Sequence, residues 1–460
     1  MFTSRRSFIR SGALFLAATG SLASVVSSAR PAHARGRRPV RPFHGPLGGA
    51  FQGYGELIPD PDGILDLPKG FQYRILSRAG EALSSGGLVP SGHDGMATFE
   101  ARNGVRLVRN HELNPEDVVE DDLIAIPATG VAPTYDADGA GGTTTLLVGK
   151  GRKLLHHEIS LAGTLDNCAG GRSPWGTWLS CEETDEILSK PHGYIFEVDP
   201  QRGGNPEPIV PMGRFEHEAV SFDLHGRAYL TEDASEPLGC IYRFTPHRPL
   251  GGAGSLHAGG VLEAMSAEGV GSDLSIVQEP GTRLRVRWVP VPHVNPLKGE
   301  TPVREQAIAL GATPLKKAEG TWLGEDGSIW FVSSYAGGPL AEDPEDVTAA
   351  AHAGQIWRYD SQHQHLELIA FIPVGSPFDG PDNITAGPHG FAIACTDGED
   401  DNWLLAIGDD GGVSPFAFNA LSDSEFAGAA FSPDGETLFA HIQSDGLTVA
   451  IWGPWQSGCR

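Results

Sequence analysis

Along most of the chain, short runs of β-branched, aromatic and aliphatic residues are punctuated by Gly, Asp and Asn, while apolar residues seldom recur at helical spacing. One unit returns several times. Ser221 to Thr231 reads strand, Asp/Gly turn, strand; Leu323 to Ser333 and Phe431 to Ala440 repeat the plan, and Ile384 to Thr396 is a looser copy around Gly390. A further strand follows two of them, over Gly239 to Phe244 and Gly354 to Tyr359. Hairpins that recur at irregular spacing predict an all-β fold, a β-propeller of about six blades with loop insertions. A β-sandwich is the alternative, and it needs two domains to absorb this length. The short helices expected are Asp343 to Ala351 and part of Val261 to Glu268.

The N-terminus departs from this pattern. Arg5 and Arg6 precede Phe8, an uncharged stretch runs from Ser11 to Ala29, and Ala32-His33-Ala34 offers a small-residue cleavage site. That order predicts a signal peptide over residues 1–34 of the twin-arginine kind, read by the twin-arginine export machinery and removed on delivery to the periplasm or beyond. An uncleaved membrane anchor is the alternative. A flexible Arg-, Pro- and Gly-rich leader is expected over 35–50, then a single propeller domain over 51–460. No other stretch is apolar enough to span a membrane after cleavage.

Charge narrows the partners. The formal net charge is −25, and loss of Arg5, Arg6, Arg10 and Arg30 with the signal takes it to −29. Such a field repels nucleic acid and anionic membranes. It also repels an anionic substrate unless bound cations invert the potential locally. There is no Gly-rich phosphate loop, no G-x-S-x-G elbow and no H-E-x-x-H pair on a helix.

Acids gather where strands end. Trp178-Leu179-Ser180-Cys181 runs into Glu182-Glu183, and adjacent carboxylates at a strand end call for a neutralising cation. A thiolate suits a transition metal; carboxylates suit calcium or iron. A buried structural Cys181 with two surface acids is the competing reading, as is a Cys168–Cys181 disulfide by spacing alone. Further sets lie at Arg109-Asn110-His111-Glu112, at Glu216-His217-Glu218, at Glu232-Asp233 and at Lys317-Ala318-Glu319; Pro381-Asp382-Asn383 offers more oxygen atoms. A propeller gathers strand ends from separate blades at one mouth of its channel.

The strings Asp94-Gly95-Met96-Ala97, Arg109-Asn110-His111-Glu112, Trp175-Gly176-Thr177-Trp178-Leu179-Ser180-Cys181-Glu182-Glu183, Gly213-Arg214-Phe215 with His217-Glu218, Glu319-Gly320-Thr321-Trp322 and Phe431-Ser432-Pro433-Asp434-Gly435 resemble the PhoX family of alkaline phosphatases in order from about Leu57 to Ile451. The resemblance implies a six-bladed propeller, twin-arginine export, and an iron(III)–calcium cluster that hydrolyses phosphate monoesters. It implies metal ligands at Cys181 and among Glu112, Glu182, Glu183, Glu218 and Glu319. Where the family pattern is expected to carry Arg, two residues before Glu319, this chain has Lys317. Lys meets phosphate as a point charge rather than a bidentate fork, and Lys317 is the expected catalytic cation. The expected substrate is a small-molecule phosphoester. The rival readings are a calcium-dependent propeller lactonase, which has no use for a thiolate, and a non-catalytic binding propeller stabilised by metal.

Overall fold

The computed structural model describes residues 47–127, 129–234, 238–270, 273–336, 353–388, 390–398 and 401–457. The expected signal peptide over 1–34, most of the expected leader over 35–50, the helix expected over Asp343 to Ala351, and Cys459 lie outside the described residues.

Each recurring hairpin is the inner half of a four-stranded antiparallel blade. Blade 1 is His93–Ala101, Gly104–His111, Gly141–Gly149 and Lys153–Thr164. Blade 2 is Asn167–Arg172, Trp178–Glu182, Ile195–Asp199 and Gly203–Gly204. Blade 3 is His217–Phe222, Ala228–Glu232, Ile241–Pro246 and Gly260–Ala267, and blade 4 is Ala318–Leu323, Ile329–Ala336, Ala353–Asp360 and His365–Ile372. An extra strand, Arg283–Pro290, pairs with the outer edges of both and fuses blades 3 and 4 into one nine-stranded sheet. Blade 5 is Pro381–Ala386, Phe391–Thr396, Trp403–Gly408 and Val413–Asn419, extended at its edge by Leu65–Pro68. Blade 6 is Phe426–Phe431, Leu438–Ile442 and Leu447–Trp452, completed by the early strand Gln72–Arg78. Pairing the beginning of the chain with its end closes the ring and gives that blade its fourth strand.

The first strands of the blades touch in succession around a closed circle, from blade 1 to blade 6 and back. Between neighbouring blades lies a separate apolar seam, and there are six. Trp178 and Phe196 meet Phe99 and Val108; Leu179, Cys181 and Ile195 meet Val220 and Leu230; Tyr229 and Ile241 meet Phe331 and Trp357. Trp330 and Ile356 meet Ile384 and Leu405; Phe391 and Phe416 meet Phe426 and Leu438; Phe439 and Ala430 meet Met96 and Leu107. Burying one such large side chain contributes about 1.5–3 kcal/mol. The blades therefore stand on flat apolar faces, and the strand period of two assigns alternate residues to opposite seams.

The turns expected from Asp and Gly form as the residues dictate. In the 223–227 turn Asp223 Oδ1 accepts from the backbone N–H groups of His225 (2.9 Å) and Arg227 (3.0 Å), and Gly226 takes φ +78°. The helix expected within Val261 to Glu268 does not form: that segment is the outer strand Gly260–Ala267, paired on both sides. One neighbour pairs with Gly260–Ala264 and the other with Glu263–Ala267, and this tertiary pairing overrides local propensity. The α-helices among the described residues are Pro115–Glu120 and Val303–Ala309, and no helix there is long and apolar enough to cross a membrane.

Candidate metal centre

All six inner hairpins share one irregularity. After the first residues of the inner strand, two residues oppose a single residue of the second strand, which is a β-bulge. The bulged pairs are Asp94-Gly95, Cys168-Ala169, Glu218-Ala219, Glu319-Gly320, Asp382-Asn383 and Gly428-Ala429, blade by blade. Five of the six first positions therefore carry an acid or a thiol at the same level of the ring. The second position is small where the next blade crowds it. A Cβ on Gly95 would lie 2.5 Å from Ala169 Cα, and one on Gly320 2.7 Å from Asn383 Cα.

A second tier follows from the same register. The residue just beyond the partner of the bulge's predecessor is Glu112, Glu183, Asp233, Ser334 and Asp397 in blades 1 to 5. In blade 6 it is Ile442. The neighbouring Gln443 reaches back instead, donating from Nε2 to Asp94 Oδ2 and Glu112 Oε2 at 2.7 Å each.

The two tiers converge. Ligand atoms of Cys168, Glu183 and Glu218 lie within 4.8 Å of one another, as do those of Glu218, Glu319 and Asp382, and those of Asp382, Asp397 and Glu425. Glu218 and Asp382 are shared, so the three sets form one continuous strip. Burial and mutual repulsion push these groups toward their protonated forms. Burial raises Glu183 well above the carboxylate range, with Asp233, Glu218 and Glu112 adding to it; burial, then Asp382 and Glu319, do so for Glu218. Asp382 is raised by burial, Glu319 and Asp397, and the Cys168 thiol by burial, Asp94 and Glu218. Lys317 is the cation that opposes the rise at both Glu183 and Asp382. Its Nζ is ion-paired with Asp233 and lies 3.4 Å from Glu319 Oε1. Beside the strip, Asp166 is raised to about 8 by burial and by Glu112.

Of the residues singled out from sequence, Glu183, Glu218 and Glu319 enter the strip, Glu112 borders it and Lys317 overlooks it. Cys181 does not. It sits opposite the Cys168 bulge on the second strand of blade 2, fully buried in the apolar seam with Leu179, Ile195 and Val220. Strand alternation sends Leu179 and Cys181 toward blade 3. It sends Trp178 and Ser180 toward blade 1, where each donates to Asn110 Oδ1. The thiol among the candidate ligand sets is Cys168, and both cysteines are free.

Glu182 is likewise corrected. It is fully buried, but its oxygens are taken by protein donors: the backbone N–H groups of Leu165 (2.9 Å), Gly193 (2.9 Å) and Tyr194 (3.1 Å), and His192 Nδ1 at 2.6 Å. It anchors the loop that presents Glu183. Sequence reading passed over Cys168, Asp94, Asp397 and Glu425 as site residues. A usable signal was present in blades 1 to 4: an acid or a thiol followed by a small residue near the start of the first strand, as in His93-Asp94-Gly95, His217-Glu218-Ala219 and Ala318-Glu319-Gly320.

The donor set fits cations. Glu218 Oε2 is buried without an N–H or O–H donor in hydrogen-bond distance among the described residues. Buried carboxylates and a thiol this close cannot ionise together unless multivalent cations neutralise them.

A structure of PhoX from Pseudomonas fluorescens, in complex with vanadate, a transition state analogue, aligns at TM-score 0.63 and 17% identity, covering 86% of this chain and 97% of that one. A putative gluconolactonase aligns at TM-score 0.42 and 11% identity over 84% of this chain and 93% of its own. A gluconolactonase from Xanthomonas campestris gives 0.37 and 12%, over 83% of this chain and 100% of its own. No curated protein matches the sequence. The family described as Alkaline phosphatase PhoX matches over residues 52–446, nearly all of the ring. The chain belongs to the PhoX family of alkaline phosphatases.

Proposed function

We propose that the chain hydrolyses small-molecule phosphate monoesters in the periplasm or outside the cell, using iron(III) and calcium at the mouth of the ring. Membership of the family makes it a metal-dependent phosphoric monoester hydrolase. The observation that carries the site assignment is the convergence of Cys168, Glu183, Glu218, Glu319 and Asp382, contributed by four blades, on one buried strip. Glu112 and Asp397 extend it on either side. Cys168 as thiolate suits iron, and the hard carboxylates on the Asp382 side suit calcium. A lactonase bearing a single calcium has no role for that thiol.

When bound, the cations supply Lewis-acid stabilisation of the charge on a phosphoryl group. The chain's own residues prepare the site for it. Glu182, clamped by four donors, sets the start of the loop carrying Glu183. Ser334 Oγ donates to Glu319 Oε1 at 2.5 Å and fixes which oxygen faces the strip. Lys317 adds a positive charge at the rim, where it meets the non-bridging oxygens of an incoming phosphate. The protein's net charge of −25 makes such local cations a requirement for holding an anion at all. The arginine pair Arg5-Arg6 supports export by the twin-arginine machinery, which carries folded and already loaded proteins.

The test is elemental analysis of protein exported by its own signal, combined with turnover of p-nitrophenyl phosphate in calcium. Stoichiometric iron with turnover that is lost in Glu319→Gln supports the proposal. Calcium without iron, or no hydrolysis across a panel of phosphoesters, refutes it.

A further inference from the structure

Among the second-tier acids, Asp233 stands apart. Glu183 and Asp397 belong to the candidate ligand sets, and Glu112 borders them, whereas Asp233 is ion-paired to Lys317. The acids next to it are already discharged. Arg304, on the helix Val303–Ala309, donates from Nη1 to Glu216 Oε2 at 2.7 Å and to Glu232 Oε1 at 3.0 Å. Glu232 Oε2 is held by the Tyr242 hydroxyl at 2.5 Å and the Cys240 N–H at 3.2 Å. Neither Glu216 nor Glu232 is therefore available to the ammonium, and Asp233 is its partner from blade 3.

Lys317 is itself held in an unusual posture. Its φ is +42°, the left-handed region that a residue with a Cβ seldom occupies. The posture is fixed from both sides, by its N–H donating to Ala234 O (3.0 Å) and its carbonyl accepting from Ser334 N (3.2 Å). The first bond ties Lys317 to the residue that follows Asp233. Backbone and side chain of blade 4 are thus both anchored to the end of the second strand of blade 3.

We infer that Asp233 is a positioning residue that holds the Lys317 ammonium at the rim, away from full collapse onto Glu319. The inference rests on the reading above in which Lys317 meets the substrate phosphoryl group. A flexible four-carbon stem beside a strip of acids would otherwise fold onto them, and a point charge works only where it is placed. Asp233 reaches the phosphoryl group through Lys317, so its effect on phosphate is expected only while Lys317 is present.

The experiment is a double-mutant cycle on the metal-loaded full-length protein with Asp233→Asn, Lys317→Ala and the pair. Two quantities are measured: kcat/KM on p-nitrophenyl phosphate, and the Kd for inorganic phosphate by calorimetry. Asp233→Asn is expected to lower kcat/KM and weaken phosphate binding about tenfold, and to change either by less than about twofold in the Lys317→Ala background. Asp233→Glu restores most of the loss, while iron and calcium contents and Tm match the parent. Additive losses, a parent-like Asp233→Asn, or loss of metal in Asp233→Asn overturn the inference and leave the phosphatase reading standing. A parent protein that neither turns over p-nitrophenyl phosphate nor binds phosphate defeats the phosphatase reading, and the inference with it.

Discussion

Two buried polar regions meet where blade 6 closes on blade 1, and they are built on opposite principles. At the seam, Arg109 is fully buried with no carboxylate partner among the described residues. Its Nε donates to Thr144 Oγ1 (3.1 Å) and its Nη1 to Thr448 Oγ1 (2.6 Å) and Ser77 Oγ (3.4 Å). His93, His111 and His441 surround it and are kept neutral by burial and by the guanidinium. Burial also brings Arg109 down to about 9. One residue away in register, Asp94 and Glu112 face the acidic strip. The seam joins the N-terminal strand, blade 1 and blade 6 through neutral hydroxyls and imidazoles; the strip crowds like charges that no protein group fully offsets. Buried polarity alone does not mark a site. The mark is several like-charged groups crowded within reach of one another.

The contrast can be broken at several points. The largest effect is expected in the strip: Cys168→Ala should lose iron and lower phosphoesterase turnover about 100-fold or more, read by elemental analysis and initial rates. At the seam, Arg109→Ala should cost about 3 kcal/mol in denaturant unfolding, because it leaves a cavity and stranded hydroxyls. Its activity per folded molecule should stay within about twofold of the parent. If Arg109→Ala instead spares stability and removes metal, the two regions are one.

A third expectation concerns pH. In the metal-free fold Asp166 titrates near about 8 and Glu216 is raised to about 7, by burial in both cases, against ordinary values of 3.8 and 4.5. The folded state then keeps protons that the unfolded chain has released, so the stability these two groups contribute is fully present below about pH 4 and is lost as pH rises toward about 8. The buried neutral histidines oppose it only below their ordinary value of 6.5, so the decline is read between about pH 6.5 and 8. Thermal scans after chelation should show this decline, and added calcium should flatten it. A flat profile in the chelated protein would mean that the strip carries no electrostatic strain. The smallest effect belongs to Cys181→Ala: about 1 kcal/mol of stability from the blade 2–3 seam, with turnover and metal content unchanged.

Cys181 and Cys168 show how far sequence reading carried toward the centre. The string ending Cys181-Glu182-Glu183 announced a thiol with acids, and the centre does contain a thiol with Glu183. Which thiol was hidden, because a bulge opposite Cys181 shifts the inner strand by one residue and turns Cys168 inward. Glu182 and Glu183 differ for a similar reason: one lies within the strand and faces donors, and its neighbour leaves the strand and faces acids.

The sequence by itself determined the repeated strand–turn–strand units, the apolar alternation that stacks them and the excess of negative charge. These are local or compositional properties, legible wherever period and turn chemistry agree. Only the tertiary structure decided that Asp94, Cys168, Glu218, Glu319 and Asp382 stand at one level of one ring. Their meeting depends on a bulge repeated in every blade and on closure of the circle by Gln72–Arg78 against Leu447–Trp452. Closure arises from pairing between distant segments, and the ring assembles bulges from separate hairpins that no single window of sequence contains.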